Sequence, residues 1–277
     1  MTKIIQITDI HITTPGNTIG GRDPIANFDR ALEHALAQHG DAEAIFVTGD
    51  LSDWGDASDY LHLRERLATV PLPVHLALGN HDERHVFARH FPDLMTDGFC
   101  QYRVDLKGHI ALVLDTWAAG THAGRFCEAR AAWLDGQLGA ADAPVLLFMH
   151  HNPVPLGLGP MDKIMQLDAD RLGDVIDRHR GVVKHIFHGH CHLPLSGSFR
   201  GVPFSAPRGT NHAGWADFNN TAAFGSSDLP ESYAVALIGD RDVMVHMIEF
   251  GYQANGGTIR SEPSGDKAEW DRLTMVR

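Results

Sequence analysis

The 277-residue chain predicts an α/β protein on three observations. Short apolar runs alternate with amphipathic stretches through the first half, the pattern of βαβ units. Short strands separated by glycine turns take over towards the C-terminus. Polar, histidine-rich clusters follow the apolar runs instead of interrupting them, so the chemistry falls at strand ends.

Lys3 to Thr8 reads as the first strand. Asp23 followed by Pro24 marks a helix start, since aspartate accepts from free backbone amides and proline has no amide to leave unpaired. Phe28, Ala31, Leu32, Ala35 and Leu36 then recur at helical spacing. Ala44 to Thr48 and Pro73 to Leu78 are the next strands, with helices over Ser58 to Val70 and Arg84 to His90. This βαβαβ beginning implies a largely parallel sheet covered by helices. Gln101 to Leu106 and His109 to Asp115 flank Lys107-Gly108 as a hairpin. A helix over Glu128 to Leu138, a strand over Val145 to Met149, a helix over Asp168 to Arg180 and a strand over Lys184 to His188 follow. Ser196 to Arg200, Val202 to Ser205, Tyr233 to Ile238 and Val243 to Phe250 read as antiparallel strands of a second sheet packed on the first. Residues 1–250 form one domain on this reading, and 251–277, rich in Gly, Ser and charge, a tail or partner-docking arm.

Five strands run into polar clusters: Asp9-Ile10-His11, Thr48-Gly49-Asp50, Gly79-Asn80-His81-Asp82, Met149-His150-His151 and His188-Gly189-His190-Cys191-His192. C-terminal strand ends of a parallel sheet share one edge, where ligands bind, so the clusters converge. Asp9 and His11 are two apart, as are His190 and His192, and in extended chain each pair projects to one side. Asp50 can bridge two cations, Asn80 offers an amide oxygen and His150 an imidazole nitrogen. Carboxylate, amide and imidazole ligands together suit Mn, Fe, Zn or Co. Any one of these residues alone is an ordinary turn or cap residue; it is the ordered combination that points to metal.

D-x-H, GD, GNHD, a later histidine and GHxH occur in that order over residues 9 to 192, and together they resemble the calcineurin-like metallophosphoesterases. The resemblance implies a four-layer αββα sandwich, two mixed sheets flanked by helices, around a dinuclear centre. Carried over residue by residue, it implies that Asp9, His11 and His192 bind one metal, that Asn80, His150 and His190 bind the other, and that Asp50 bridges them. His150 is preferred to His151 as the match to a Met-His-His-Pro-Pro pattern, from which Asn152 departs. His81 is implied to touch the phosphoryl oxygen or protonate the leaving alkoxide, beside Asn80 in the substrate site. His188 reads as a packing residue, Cys191 as a small buried one, and His34, His39, His62, His85, His90, His179 and His185 as surface or packing residues.

Protein serine/threonine phosphatases show GDxVDRG, with an arginine that holds phosphate; residues 49–55 here read GDLSDWG, and the arginine is missing. FMHHNPVPLG over residues 148–157 and Gly209-Thr210-Asn211-His212 resemble the bacterial cyclic-nucleotide and glycerophosphodiester phosphodiesterases, which implies a substrate-holding role for His212. The expected activity is hydrolysis of small phosphodiesters, cyclic nucleotide or glycerophosphodiester, by attack of metal-bound hydroxide. Phospholipase C-like cleavage of phospholipid headgroups is the enzymatic alternative, and a non-catalytic metal-binding partner scaffold the other. Loops at 13–22, 117–127, 154–166 and 208–230 should shape the pocket, with Trp117, Trp215 and Phe218 as a candidate apolar wall.

Composition bounds the partners. Lys plus Arg total 23 against 35 Asp plus Glu, a formal charge of -12, which argues against an extended nucleic-acid surface. Three scattered cysteines, Cys100, Cys127 and Cys191, favour a reducing compartment. The N-terminal apolar run is broken by Gln6 and Asp9, unlike a signal peptide, and no run reaches the roughly 18 apolar residues of a membrane span. The expectation is a cytoplasmic enzyme, with assembly into a homo-oligomer left open.

Overall fold

A computed structural model describes residues 1–219 and 222–251; the proposed tail at 251–277 lies, but for Gly251, outside the described residues. The first strand is β1 (Thr2–Ile7), followed by α1 (Pro24–His39), β2 (Ala44–Thr48), α2 (Ala57–Leu67), β3 (Val74–Ala77) and α3 (Arg84–His90). Asp23 caps α1 by accepting from the Ala26 amide, as the sequence predicts. The hairpin β4 (Tyr102–Leu106) and β5 (His109–Val113) leads through α4 (Glu128–Gly139), β6 (Val145–Phe148), a short α5 (Gly159–Asp162) and α6 (Ala169–Arg178) to β7 (Val183–Phe187). The later strands are β8 (Leu195–Phe199), β9 (Val202–Ala206), the small hairpin β10 (Ala213–Trp215) with β11 (Gly225–Ser227), then β12 (Tyr233–Ile238) and β13 (Val243–Ile248).

Two mixed sheets result, of order β13-β12-β1-β2-β3 and β4-β5-β6-β7-β9-β8. Here the late strands depart from expectation. They do not form a sheet of their own: β12 pairs antiparallel with β1, whereas β9 pairs parallel with β7 and carries β8 on its far side. The second sheet is founded instead by the hairpin β4–β5 with β6 and β7 parallel beyond it.

Side-chain alternation assembles the layers. On β1, Ile5 and Ile7 face α1 to α3 and pack with Phe28, Leu32, Tyr60, Leu63 and Phe87. Ile4 points the other way, into a layer where Ala44 and Phe46 meet Val113, Leu146, Phe148 and Phe187 of the second sheet. Phe46 stacks on Phe148 at 3.8 Å between ring centroids. The outer face of the second sheet buries Leu134 and Leu138 of α4 with Leu172, Val175 and Ile176 of α6. Helices, sheet, sheet, helices is the αββα order. Near the functional edge Gln6 replaces an apolar residue on β1, and its amide donates both to Thr48 Oγ1 at 3.0 Å and to the His188 carbonyl at 2.8 Å, joining the two sheets. Among the described residues no helix is long and apolar enough to cross a membrane.

Candidate metal centre

The five polar clusters do converge, yet along the abutting edges of two sheets: those after β1, β2 and β3 come from the first sheet and those after β6 and β7 from the second. Extended chain does not aim them. Asp9, His11, Asp50, His190 and His192 all have left-handed backbone, with φ of 53°, 47°, 48°, 71° and 50°. The side chains of Asp9 and His11 meet because the strand end curls tightly, whereas His190 and His192 part, the first towards His150 and the second towards Asp9 and His11, and glycines permit the crowding. A Cβ on Gly79 would overlap the Asp50 amide and carboxylate, and one on Gly189 would overlap Thr8 Oγ1 and lie 3.0 Å from Asp9 Oδ2.

Asp9, His11, Asp50 and His192 present ligand atoms within 4.8 Å of one another. His11 Nε2 lies 3.6 Å from Asp50 Oδ2, and His192 Nε2 lies 3.6 Å from Asp9 Oδ1. On the other side of Asp50, His150 Nε2 is 3.4 Å from Asp50 Oδ1 and 3.1 Å from Asn80 Oδ1. The His150 and His190 rings stand edge to face at 5.0 Å. All seven expected ligands therefore surround one cradle, with Asp50 facing both halves.

The ring orientations fit cations. His11 Nδ1–H donates to Asp53 Oδ1 at 3.0 Å, His150 Nδ1–H to the Thr48 carbonyl at 2.8 Å and His192 Nδ1–H to the His212 carbonyl at 2.9 Å. Each bond fixes the tautomer that leaves an Nε2 lone pair facing inward. The consequence is a set of acceptors pointed at acceptors: His11 Nε2 against His192 Nε2 at 3.3 Å, and His150 Nε2 against Asn80 Oδ1. His190 Nε2 is buried without a hydrogen-bond partner. A buried lone pair with no donor is costly unless an ion takes it. The carboxylates set a field that calls for positive charge at this point. Burial pushes the His150 imidazole down, yet the Asp50 carboxylate outweighs it and raises the group to about 9, so without an ion a proton takes the place at Nε2 that a cation would otherwise fill. Burial likewise opposes ionisation of Asp50, but His150 holds its carboxyl well below the usual range.

His151 is set apart from His150 by its partners. Its Nδ1 accepts from Thr116 Oγ1 at 2.7 Å and its Nε2–H donates to the His122 carbonyl at 3.2 Å, so neither nitrogen is free. His81 stands at the rim, its ring 4.8 Å from His11, its amide donating to Asp50 Oδ1 at 2.9 Å and its Nδ1–H to the Asp53 carbonyl at 2.9 Å. His212 stacks on His192 at 4.0 Å, and burial together with His192 depresses it to about 2. His188 is buried with Nδ1–H bonded to the Gly189 carbonyl and, like His190, has an Nε2 without a hydrogen-bond partner, but it belongs to none of the converging ligand groups among the described residues; Cys191 packs with Leu158 and Leu193. Trp117 does not join an apolar wall: it is buried in the core, and its Nε1–H donates to the Asp82 carbonyl. Trp215 and Phe218 are exposed.

Two contributors escape the sequence reading. Asp53 orients both His11 and His81, and its signal is only a second aspartate three residues after Asp50. His122 accepts from Asn80 Nδ2 at 3.0 Å, turning the Asn80 oxygen inward; no spacing marks it. Asp82, the end of GNHD, accepts from the amides of Leu51, Ser52 and Gly79 and from the Tyr60 hydroxyl, and so locks the Asp50 loop to the Asn80 loop.

A two-sheet αββα sandwich with a histidine and carboxylate cradle at the abutting sheet edges defines the metallophosphoesterase class. The family model described as calcineurin-like phosphoesterase matches residues 2–194, and the chain belongs to that family. It is 37% identical over 257 residues to a Rhodopseudomonas palustris protein named "Probable cyclic nucleotide phosphodiesterase", covering 90% of this chain and 93% of that one. It is 32% identical over 176 residues to the glycerophosphodiester phosphodiesterase GpdQ of Enterobacter lignolyticus, covering 61% and 63%. In fold it is similar to a dimetal phosphatase from Danio rerio, with TM-score 0.65 at 16% identity over 90% of this chain and 96% of that one.

Proposed function

We propose that the chain hydrolyses small phosphodiesters of the cyclic-nucleotide or glycerophosphodiester type, using two transition-metal ions from among Mn, Fe, Zn and Co. Asp9, His11 and His192 would hold one, Asn80, His150 and His190 the other, and Asp50 both. The observation that carries this reading is the converging set of inward Nε2 lone pairs, one of them on His190 without any partner. Bound in such a cradle, two cations would neutralise phosphate charge and lower the pKa of water toward ~7.

The chain's own groups do the rest. Among the described residues, no lysine or arginine hydrogen-bonds to the nine side chains Asp9, His11, Asp50, Asn80, His81, His150, His190, His192 and His212. A site with no fixed cationic side chain suits the single charge of a diester better than the two charges of a terminal monoester. His81 Nδ1–H is held by Asp53, which aims Nε2 outward as the atom able to contact a phosphoryl oxygen or pass a proton to the departing alkoxide. His212, stacked on His192, would hold the substrate or position water on the same side.

The test is hydrolysis of bis(p-nitrophenyl) phosphate by metal-free protein titrated with Mn or Co, followed by a panel of cyclic nucleotides, glycerophosphodiesters and phospholipids. Metal-dependent turnover is expected, with Asp50→Asn losing nearly all of it and at least one metal while the circular dichroism spectrum stays the same. A protein that binds metal and turns over no diester would be a scaffold, and normal turnover with two full sites in Asp50→Asn would reject the bridge.

A further inference from the structure

Trp54 is 74% exposed beside the metal centre, in a protein whose Trp117 is 6% exposed. Single exposed rings occur elsewhere on this surface, at Trp215, Phe218 and Phe224; Trp54 differs from them in standing against His81 at the rim of the site. Its place is fixed from both sides. Asp53 before it donates its amide to the Ile12 carbonyl at 2.9 Å and binds both His11 and His81. Gly55 after it has φ 72° and packs so closely on Glu83 that a Cβ would lie 2.8 Å from the Glu83 amide nitrogen. The amides of Trp54 and Gly55 both donate to Ser52 Oγ, at 3.3 and 2.8 Å, and that hydroxyl donates to Asp59 at 2.6 Å. The loop is built, and the indole is its one outward side chain of size.

The indole meets His81 edge-on, with centroids 6.4 Å apart and planes at 63°, so its faces are not stacked against that ring. Among the described residues no other ring and no guanidinium is paired with it. His81 in turn lies 4.8 Å from His11. A phosphate held at the cradle therefore places its ester substituent within reach of an open aromatic face.

We infer that Trp54 is a specificity-determining residue that stacks the base of a nucleobase-bearing phosphodiester, an inference resting on the phosphodiesterase reading above. A planar base has a π face that an indole can cover, whereas a glycerol substituent lacks a flat face to match; a choline ammonium can also sit on an indole, so a larger Trp54→Ala loss for glycerophosphocholine than for adenosine 5′-monophosphate would overturn the assignment. Stacking of a base on an aromatic side chain changes affinity by roughly 5- to 150-fold.

Calorimetric binding of adenosine 5′-monophosphate and of inorganic phosphate to the Mn-loaded protein tests it without turnover. Trp54→Ala should weaken nucleotide binding by about tenfold or more and leave phosphate within twofold, and Trp54→Phe should recover most of the loss. Trp215→Ala, an exposed tryptophan on β10, should leave both unchanged. Equal losses for nucleotide and phosphate, no loss for either, or a selective loss in Trp215→Ala would overturn the assignment. If wild-type protein hydrolyses no diester yet Trp54→Ala still loses nucleotide selectively, the phosphodiesterase reading falls and base recognition stands.

Discussion

Left-handed backbone at non-glycine residues costs on the order of 1 to 3 kcal/mol each, and five residues of the cradle carry it together. Such strain persists only where neighbours over-determine it, here the Asp82 bonds, the Gln6 bridge and the tight glycines. On the proposed reading, the same residue-level detail separates metal binding from catalysis at His81. Its contact with Asp50 is made by the backbone amide, so His81→Ala keeps that bond and should keep both metals. Loss of its ring should slow turnover by roughly 10² to 10⁴-fold, about 3 to 5 kcal/mol of transition-state stabilisation. The loss should be largest for a poor alkoxide leaving group and smaller for p-nitrophenolate. Equal losses on both would favour phosphoryl-oxygen stabilisation, and wild-type rates with both metals bound would remove His81 from the reaction. The cradle residues were legible because each closes an apolar run. Asp53 and His122 were not, because each acts through a partner 42 residues away in sequence, and nothing local records that pairing.

At the scale of elements, the predicted strands and helices fall within three residues of the observed ones, the widest gap at the end of α2 and none at β2, where Ala44–Thr48 is both the predicted and the observed span. Sheet membership does not follow. β8, β9, β12 and β13 all read as short strands after the GHxH cluster, but pairing depends on which edge each chain segment reaches after crossing the molecule. β12 returns to β1 across more than two hundred residues, and alternation in Tyr233–Ile238 is the same whichever sheet it joins. What the elements do share is the need for room where they end. Gly79→Ala sets a methyl group against the Asp50 amide and carboxylate, so it should lower the thermal midpoint and cut metal stoichiometry measured by elemental analysis. Gly136→Ala, inside α4 with nothing within 4 Å of the added Cβ, should instead stabilise by about 0.5 to 1 kcal/mol with metal content unchanged. Intact metal content in Gly79→Ala would show that the Asp50 loop tolerates displacement.

The whole molecule is held by the layer between its sheets, and that layer contains two histidines as well as stacked phenylalanines. His75 on β3 lies 5.0 Å from Phe46, and His185 on β7 lies 4.4 Å from Phe187 with its Nε2–H donating to Ser205 Oγ at 2.8 Å. Burial disfavours the charged ring in both and depresses each to about 4, below the ordinary value of 6.5. Between those two values the unfolded chain binds protons at these positions that the folded chain refuses. Stability therefore rises with pH across the window from about 4 to 6.5, and it is lost as pH falls through that window. Other groups titrate nearby, Asp82 among them, raised to about 6 by burial. The difference between two proteins isolates the pair. Denaturant unfolding of wild type and of the His75→Gln, His185→Gln double variant, followed from pH 7 to pH 4.5, should show the wild type losing more stability than the variant as acid is added. Parallel pH profiles for the two proteins would mean that these rings take up protons inside the folded sandwich, and that the inter-sheet layer admits the water needed to solvate them.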